Sequence, residues 1–321
     1  MMKHWNLALV LVAGLAGHAA AQSYPARPVH VVVPFAAGGG TDVVARALAP
    51  ELTARWGQPI IVDNRAGAGS LIGAEAVARA PADGYTLLAT TSQTVTSNRY
   101  LYKTLPYDPD RSFVPITLLV RADQFVLANP ALPANNLKEL VMLARQRPGT
   151  VSYGSWGIGS EPQLTYEQLN KREALNLLHV PYKGVAPVLT ALIAGEIQLS
   201  VASAGIAGAL LKAGKLKPLA LAAPGRSTRF PDVPTTAELG YPYLRATILV
   251  GLWAPAGTPA AVLEKIGNDV RSILKTPAFE NHVTRLGYDV VASSAEELTN
   301  LLREETARVG EVVQAANIKP N

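Results

Sequence analysis

Short apolar runs alternate with longer stretches of helical period, from Val31-Val32-Val33 to the C-terminal segment. Apolar runs bounded by turn residues suit sheet strands, and recurrence at i, i+3 and i+4 suits helices with one buried face. After the first strand, Val44, Ala47, Leu48, Leu52 and Trp56 share a helical face, and Ile60-Ile61-Val62 predicts a second strand. A helix is predicted over 71–79 and a strand over 85–89, after the Asp83-Gly84 turn. Further strands are predicted at 125–128, 151–153, 175–180, 197–201, 219–222 and 248–254. Helices are predicted at 137–147, from Pro162 onward, at 185–194 and at 206–213; Pro162 suits a first-turn position. Val262, Ile266, Val270 and Leu274 mark another helix. The last helix carries Leu298, Leu301, Leu302, Val309, Val312, Val313 and Ala316 on one side, with Glu304, Arg308 and Glu311 opposite. Residues 224–242 contain Pro224, Pro231, Pro234 and Pro242 and predict an irregular connector. Strands and helices in alternation define an α/β architecture with largely parallel sheets.

One unit recurs: strand, glycine turn, helix. It occurs at Val31–Asp42, through Gly38-Gly39-Gly40, and again at Val151–Pro162, through Gly154-Ser155-Trp156-Gly157-Ile158-Gly159-Ser160. Glycines let a ligand approach the main chain, and the following helix adds unpaired N–H groups with a partial positive charge. Each unit is therefore a cradle suited to a carboxylate or phosphate. Two such units predict two similar lobes with both turns on one cleft, since ligands of open α/β sheets bind beyond the strands' carboxyl ends. A third glycine turn, Arg65–Ser70, reads as a shaped turn.

The ends and the composition narrow the setting. Met1-Met2-Lys3, the apolar run Leu7–Ala16 and the Ala19-x-Ala21 ending describe a secretory signal peptide, with the mature chain starting near Gln22. Of 321 residues, removing 21 leaves 300, enough for two compact domains. There is no cysteine, which excludes disulfides, thiolate metal sites and a cysteine nucleophile. With hydrophobic residues at 49%, stability rests on packed cores. The formal charge of +5 favours anionic small molecules, while scattered Lys and Arg argue against nucleic acid.

Catalytic and nucleotide motifs fail on inspection. Gly40 is followed by Thr41-Asp42 without the lysine of a phosphate-binding loop, and no glycine set has the dinucleotide register. Neither Ser155 nor Ser160 sits in G-x-S-x-G. His30, His179 and His282 lack metal-ligand spacing and are expected to be surface or packing residues. No catalytic residue, metal or cofactor is expected.

Several motifs in order make the chain resemble the Bug-type periplasmic solute-binding proteins, receptors of tripartite tricarboxylate transporters. They include Tyr24-Pro25, the loop 33–42, Gly57-Gln58-Pro59 and Asp63-Asn64-Arg65-Ala66-Gly67-Ala68-Gly69. Ala82-Asp83-Gly84-Tyr85, Leu105-Pro106-Tyr107-Asp108-Pro109, His179-Val180-Pro181-Tyr182-Lys183-Gly184, Phe230-Pro231-Asp232-Val233-Pro234 and Ala254-Pro255-Ala256-Gly257-Thr258-Pro259 follow. The resemblance implies a two-lobed periplasmic-binding-protein (Venus flytrap) fold with two crossing segments, near 117–125 and 247–253. Residues 22–123 and 247–321 would form one lobe and 124–246 the other. It implies a monomeric periplasmic receptor that holds an organic carboxylate by backbone amides and waters and works with membrane subunits of the transporter. The ligand-binding positions it implies are Phe35, Ala37, Gly38, Gly39, Thr41 and Asp42 in the first loop. In the second they are Ser155, Trp156, Gly157, Ile158 and Gly159, joined by Ser92, Gln93, Lys183, Ser203 and Leu249. Asp42 is equally suited to capping its helix.

Three departures from the family pattern bear on specificity. Trp156 stands where a small polar residue is common, Gln163 where histidine is usual, and Ser203 where aspartate is frequent. Without that aspartate an ammonium group lacks a partner, so the expected ligand is a carboxylate with no cationic group, its apolar part against Trp156. An exported α/β enzyme acting on a small carboxylate, and a sensor subunit derived from such a receptor, are the alternatives.

Overall fold

The computed structural model describes residues 24–223, 225–315 and 317–320. The signal segment 1–21 with the start at Gln22, Pro224 in the connector and Ala316 on the last helix lie outside the described residues. The first half of the chain runs β1 (Val29–Val33), α1 (Gly40–Trp56), β2 (Ile60–Asn64), α2 (Leu71–Ala78) and β3 (Thr86–Thr91). The short helices α3 (Ser92–Val95) and α4 (Asn98–Leu101) lead to the long strand β4 (Phe113–Ala128). Next come α5 (Leu137–Gln146), β5 (Ser152–Ser155), α6 (Glu161–Glu173), β6 (Leu178–Pro181), α7 (Val185–Ala194) and β7 (Leu199–Ser203). The chain continues through α8 (Ala204–Lys212), β8 (Lys217–Leu221), β9 (Thr247–Pro255) and α9 (Ala260–Leu274). It closes with α10 (Pro277–Arg285), β10 (Asp289–Val290) and α11 (Ala295–Ala315).

The strands hydrogen-bond in the order β2-β1-β3-β9-β4-β7-β5-β6, with β8 and β10 also paired to β4. β4 is shared along its length. Residues 113–123 pair antiparallel with β9, and residues 124–128 pair antiparallel with β7. The changeover is tied down where Gln124 N–H donates to Ala246 O at 3.0 Å and Thr247 Oγ1 donates to Asp123 Oδ1 at 2.9 Å.

Two main cores follow this division. One joins Val29, Val31 and Val33 of β1 to Val44, Leu48 and Leu52 of α1, and to Val250, Ile266 and Val270 from the far end of the sequence. The other packs Val126, Leu137, Leu140, Tyr153, Tyr166, Leu199 and Leu219. Each fully buried side chain of this size contributes roughly 1.5–3 kcal/mol relative to exposure. The architecture is a two-lobed α/β fold.

Element types agree with the pattern reading at most positions, and three differences have physical causes. β4 extends twelve residues before Phe125. Arg121, Asp123 and Gln124 interrupt its apolar pattern and register shifts occur at Pro115/Thr117 and Leu118/Val120, so pairing with β9 rather than local preference makes it a strand. α10 and β10 are too short to show periodicity; Thr276 Oγ1, accepting from Phe279 N–H, and Pro277 in the first turn start that helix. Arg308 is not on the solvent side of α11. At about 100° per residue it flanks Leu301 and Val312, and it packs 3.7 Å from Glu161 of α6 while bonding Glu305 at 2.6 Å. Burial raises the Glu161 carboxyl above its ordinary range, against the lowering pull of Arg308.

Candidate functional site

Strand direction places the two glycine loops face to face. β1 and β3 are parallel, β9 runs against β3, and β4 runs against β9, so β4 leaves the first lobe in the direction of β1. In the second lobe β7 runs against β4 and β5 runs with β7. The carboxyl ends of β5 and β7 therefore point back at those of β1 and β3. Contacts on both flanks agree. A Cβ at Gly159 would run into Leu101 of α4, and one at Gly205 of α8 would run into the carbonyl of Leu286, just after α10.

In the first loop, Gly38 takes a left-handed conformation (φ +80°) and its N–H donates to Asp42 Oδ2 at 2.8 Å. Arg46 Nε donates to both Asp42 oxygens, at 3.0 and 2.9 Å, and Asn64 Nδ2 donates to Oδ1 at 2.9 Å. Burial would raise the Asp42 carboxyl, but the hydrogen bonds from Arg46, Gly38 and Asn64 prevail and hold it below the usual range. Asp42 is thus a saturated clamp on the loop, with its charge answered by Arg46. Helix α1 starts after Gly39, which has no side chain to cap it, so the N–H groups of Gly40, Thr41 and Asp42 have no partner among the described residues. A Cβ at Gly40 would collide with the Tyr288 hydroxyl, so that side chain would have to move.

The second loop repeats the plan. Gly159 is left-handed (φ +75°), and its N–H donates to Gln163 Oε1 at 2.6 Å. Ser160 precedes α6 but does not cap it, because its hydroxyl donates to Gly157 O at 2.6 Å. Ser155 Oγ lies 3.0 Å from Gly157 O and 2.6 Å from His179 Nε2, while the His179 ring stacks on Tyr153 at 5.0 Å. Burial holds the His179 imidazole below its ordinary pKa. Ser155 is fully buried, so this Ser–His pair braces the loop from inside.

Other expected positions divide between cleft and core. Ala37, Gly38, Ile158 and Lys183 are exposed, and Phe35, Gly39, Gln93, Trp156 and Gly157 are half-buried. Phe35 packs on the first core, and Trp156 bridges two clusters of the second lobe with part of its ring left open. Ser92 begins α3, directly after β3. Ser203 ends β7 and precedes α8 without capping it, which leaves a third uncapped helix start on the cleft side. Thr41 is buried on the first turn of α1. Leu249 is only 7% exposed and sits in an apolar cluster with Val95, Leu118, Trp253 and Leu298. Asn64 enters the sequence reading only inside a family motif, and neither it nor Leu101 nor Tyr288 is given a role there, yet all three shape the loops from distant parts of the chain.

Side-chain caps occur at α5, α10 and α11, whereas α2, α7 and α9, like α1, α6 and α8, have none. Asn136 caps α5, Thr276 caps α10, and at α11 Ser294 Oγ accepts from Glu297 N–H at 3.1 Å while Ser294 N–H donates to Glu297 at 2.7 Å. The start of α8 is packed against Leu286 and Gly287, whereas helices α1 and α6, at facing strand ends, have first-turn amides without a partner among the described residues. Such amides stabilise an anion through hydrogen bonds and the helix dipole together.

A two-lobed α/β body with unpartnered helix N-termini at facing strand ends has the layout of a solute-binding receptor. The model of the tripartite tricarboxylate transporter family receptor matches residues 44–318, and the chain belongs to that family. It is similar to Protein BugT of Bordetella pertussis, 33% identical with 97% of this chain and 95% of that protein covered. The solved structure of the periplasmic binding protein BugD matches with a TM-score of 0.79 and 35% identity, over 93% of this chain and all 100% of that one. The structure of R. palustris Rpa4515 with adipate matches with a TM-score of 0.83 and 32% identity, over 93% and 100% of the two chains. The family is periplasmic and binds solutes.

Proposed function

We propose that this chain captures an organic carboxylate between its two glycine loops and delivers it to the membrane subunits of a tripartite tricarboxylate transporter. The observation that carries this is the pair of uncapped helices, α1 and α6, at strand ends that face each other. Adipate in the Rpa4515 structure, a carboxylate with no cationic group, agrees with Ser203 standing where an ammonium group would want an anion. The lobes divide at 123/124 and 246/247, and the receptor is a monomer exported by a cleaved N-terminal signal. The loop residues 37–42 and 155–159 hold the ligand, with Ser92, Gln93, Lys183 and Ser203 around it and Trp156 against its apolar part. Closure follows when contacts from both lobes favour the closed state. The ligand leaves chemically unchanged.

Thermal melts of the mature protein with adipate, malate, benzoate and glutamate test this. Binding to the folded state raises the melting temperature by mass action, so at least one carboxylate without an amino group should give a saturable rise larger than glutamate gives. NMR should then recover that compound intact. A panel with no rise, or a chemically altered compound, rejects the reading.

A further inference from the structure

The two cradles share a plan but differ at the residue that folds back onto the glycine turn. In each, the third helical residue folds its side chain back onto the amide of a left-handed glycine: Asp42 onto Gly38 and Gln163 onto Gly159. Both oxygens of Asp42 are occupied by Gly38, Arg46 and Asn64, so it offers a ligand nothing. Gln163 is different. Because its Oε1 must face the Gly159 N–H, its Nε2 is the free end, and that nitrogen has no partner among the described residues. Gln163 is only 8% exposed, yet Nε2 is not among the unpartnered atoms sealed from solvent. It is an unpartnered donor, with some solvent access, on the side chain that holds the second cradle's glycine turn.

A second asymmetry says what that donor replaces. Pro162 occupies the second position of α6 and has no N–H. Helix α1 presents the amides of Gly40, Thr41 and Asp42, whereas α6 presents only those of Glu161 and Gln163. The missing amide lies between the two, beside the residue whose side chain carries a spare NH₂.

We propose that Gln163 is a specificity-determining residue, its Nε2 donating to an oxygen of the bound carboxylate where Pro162 supplies no amide. The proposal rests on the receptor reading and assigns one contact within it. A neutral donor of this kind accepts carboxylate, carbonyl or hydroxyl oxygens and gives no partner to an ammonium group.

Calorimetric titration of adipate, malate and benzoate into wild type, Gln163→Glu and Gln163→Met tests it. Gln163→Glu keeps the side-chain length and an oxygen for Gly159 N–H, but puts an anionic acceptor where the donor stood. At pH 7 it should weaken binding of the preferred compound by about tenfold or more, as loss of a hydrogen bond to a charged group implies. As pH falls and the new carboxyl protonates, it regains a donor, and its deficit relative to wild type at the same pH should narrow. Gln163→Met should show a comparable loss without recovery in acid, and it serves alone if the first variant does not fold. Wild-type binding matched within twofold by a folded variant overturns the Gln163 assignment and leaves the receptor standing. Wild type that takes none of the three compounds overturns both.

Discussion

Asp42 shows how one side chain can serve a binding loop without touching what binds. It stands in the first turn of a helix whose amides are open, where a free carboxylate would compete with an incoming anion. Instead four hydrogen bonds from three residues absorb it. Its carboxyl is held low, so its contribution to stability is present above the ordinary aspartate pKa and is lost as pH falls through the lowered native value. Asp42→Ala should cost about 2 kcal/mol near neutrality, with the gap to wild type closing in acid. Urea unfolding at several pH values measures both, and a gap that persists unchanged in acid would contradict the clamp. The glycine cradle was legible in the sequence because a turn's need for Gly38 is local. The saturation of Asp42 was not, because Asn64 comes from the end of the neighbouring strand. Leu249 is a related case: the family resemblance implies a ligand position, and the depth of its cluster is set by α11 and β4.

Among the helices, a capped start away from the glycine loops and an uncapped start within one should respond differently to substitution. Ser294 at α11 completes a reciprocal pair with Glu297, so Ser294→Ala should lower stability by about 1 kcal/mol and leave ligand affinity untouched. Gly39→Val at the start of α1 should do the reverse. The backbone there is extended, and a Cβ would press 3.1 Å from the Ala36 carbonyl, obstructing the open amides while sparing the core. Melting curves and titrations on both variants check this, and equal affinity for Gly39→Val and wild type would remove the first cradle from the site. Helix α11 adds a point that periodicity obscured. Leu298 packs on the first lobe, while Val309, Val312 and Val313 pack with Leu164 of α6 and Leu101 of α4. A helix serving two surfaces buries a wider stripe than one face, which is why Arg308 lies inside against Glu161 and Glu305.

For the whole molecule, the decisive feature is that β4 pairs with β9 as far as Asp123–Thr247 and with β7 from Gln124 onward, while the chain entering β9 is bonded to β4 at Ala246, so two adjacent connections join the sheets. Two adjacent, hydrogen-bonded crossings restrict relative motion to bending about one line, the geometry of hinge closure. Saturation with a bound carboxylate should therefore reduce the radius of gyration measured by small-angle scattering, and an unchanged value at saturation would argue against closure. The residues themselves determined the α/β alternation, the two glycine cradles and their preference for anions, since strand, turn and helix tendencies act over a few neighbours. Tertiary structure decided how the cradles come to oppose each other, which the repeated unit had only led one to expect, because that depends on the directions of β4, β9 and β7 as they pair across long separations. It also decided which polar groups stay free: Asp42 is consumed by partners from elsewhere, while the Gln163 amide nitrogen is left open, and a hydrogen bond exists only once folding has brought both its ends together.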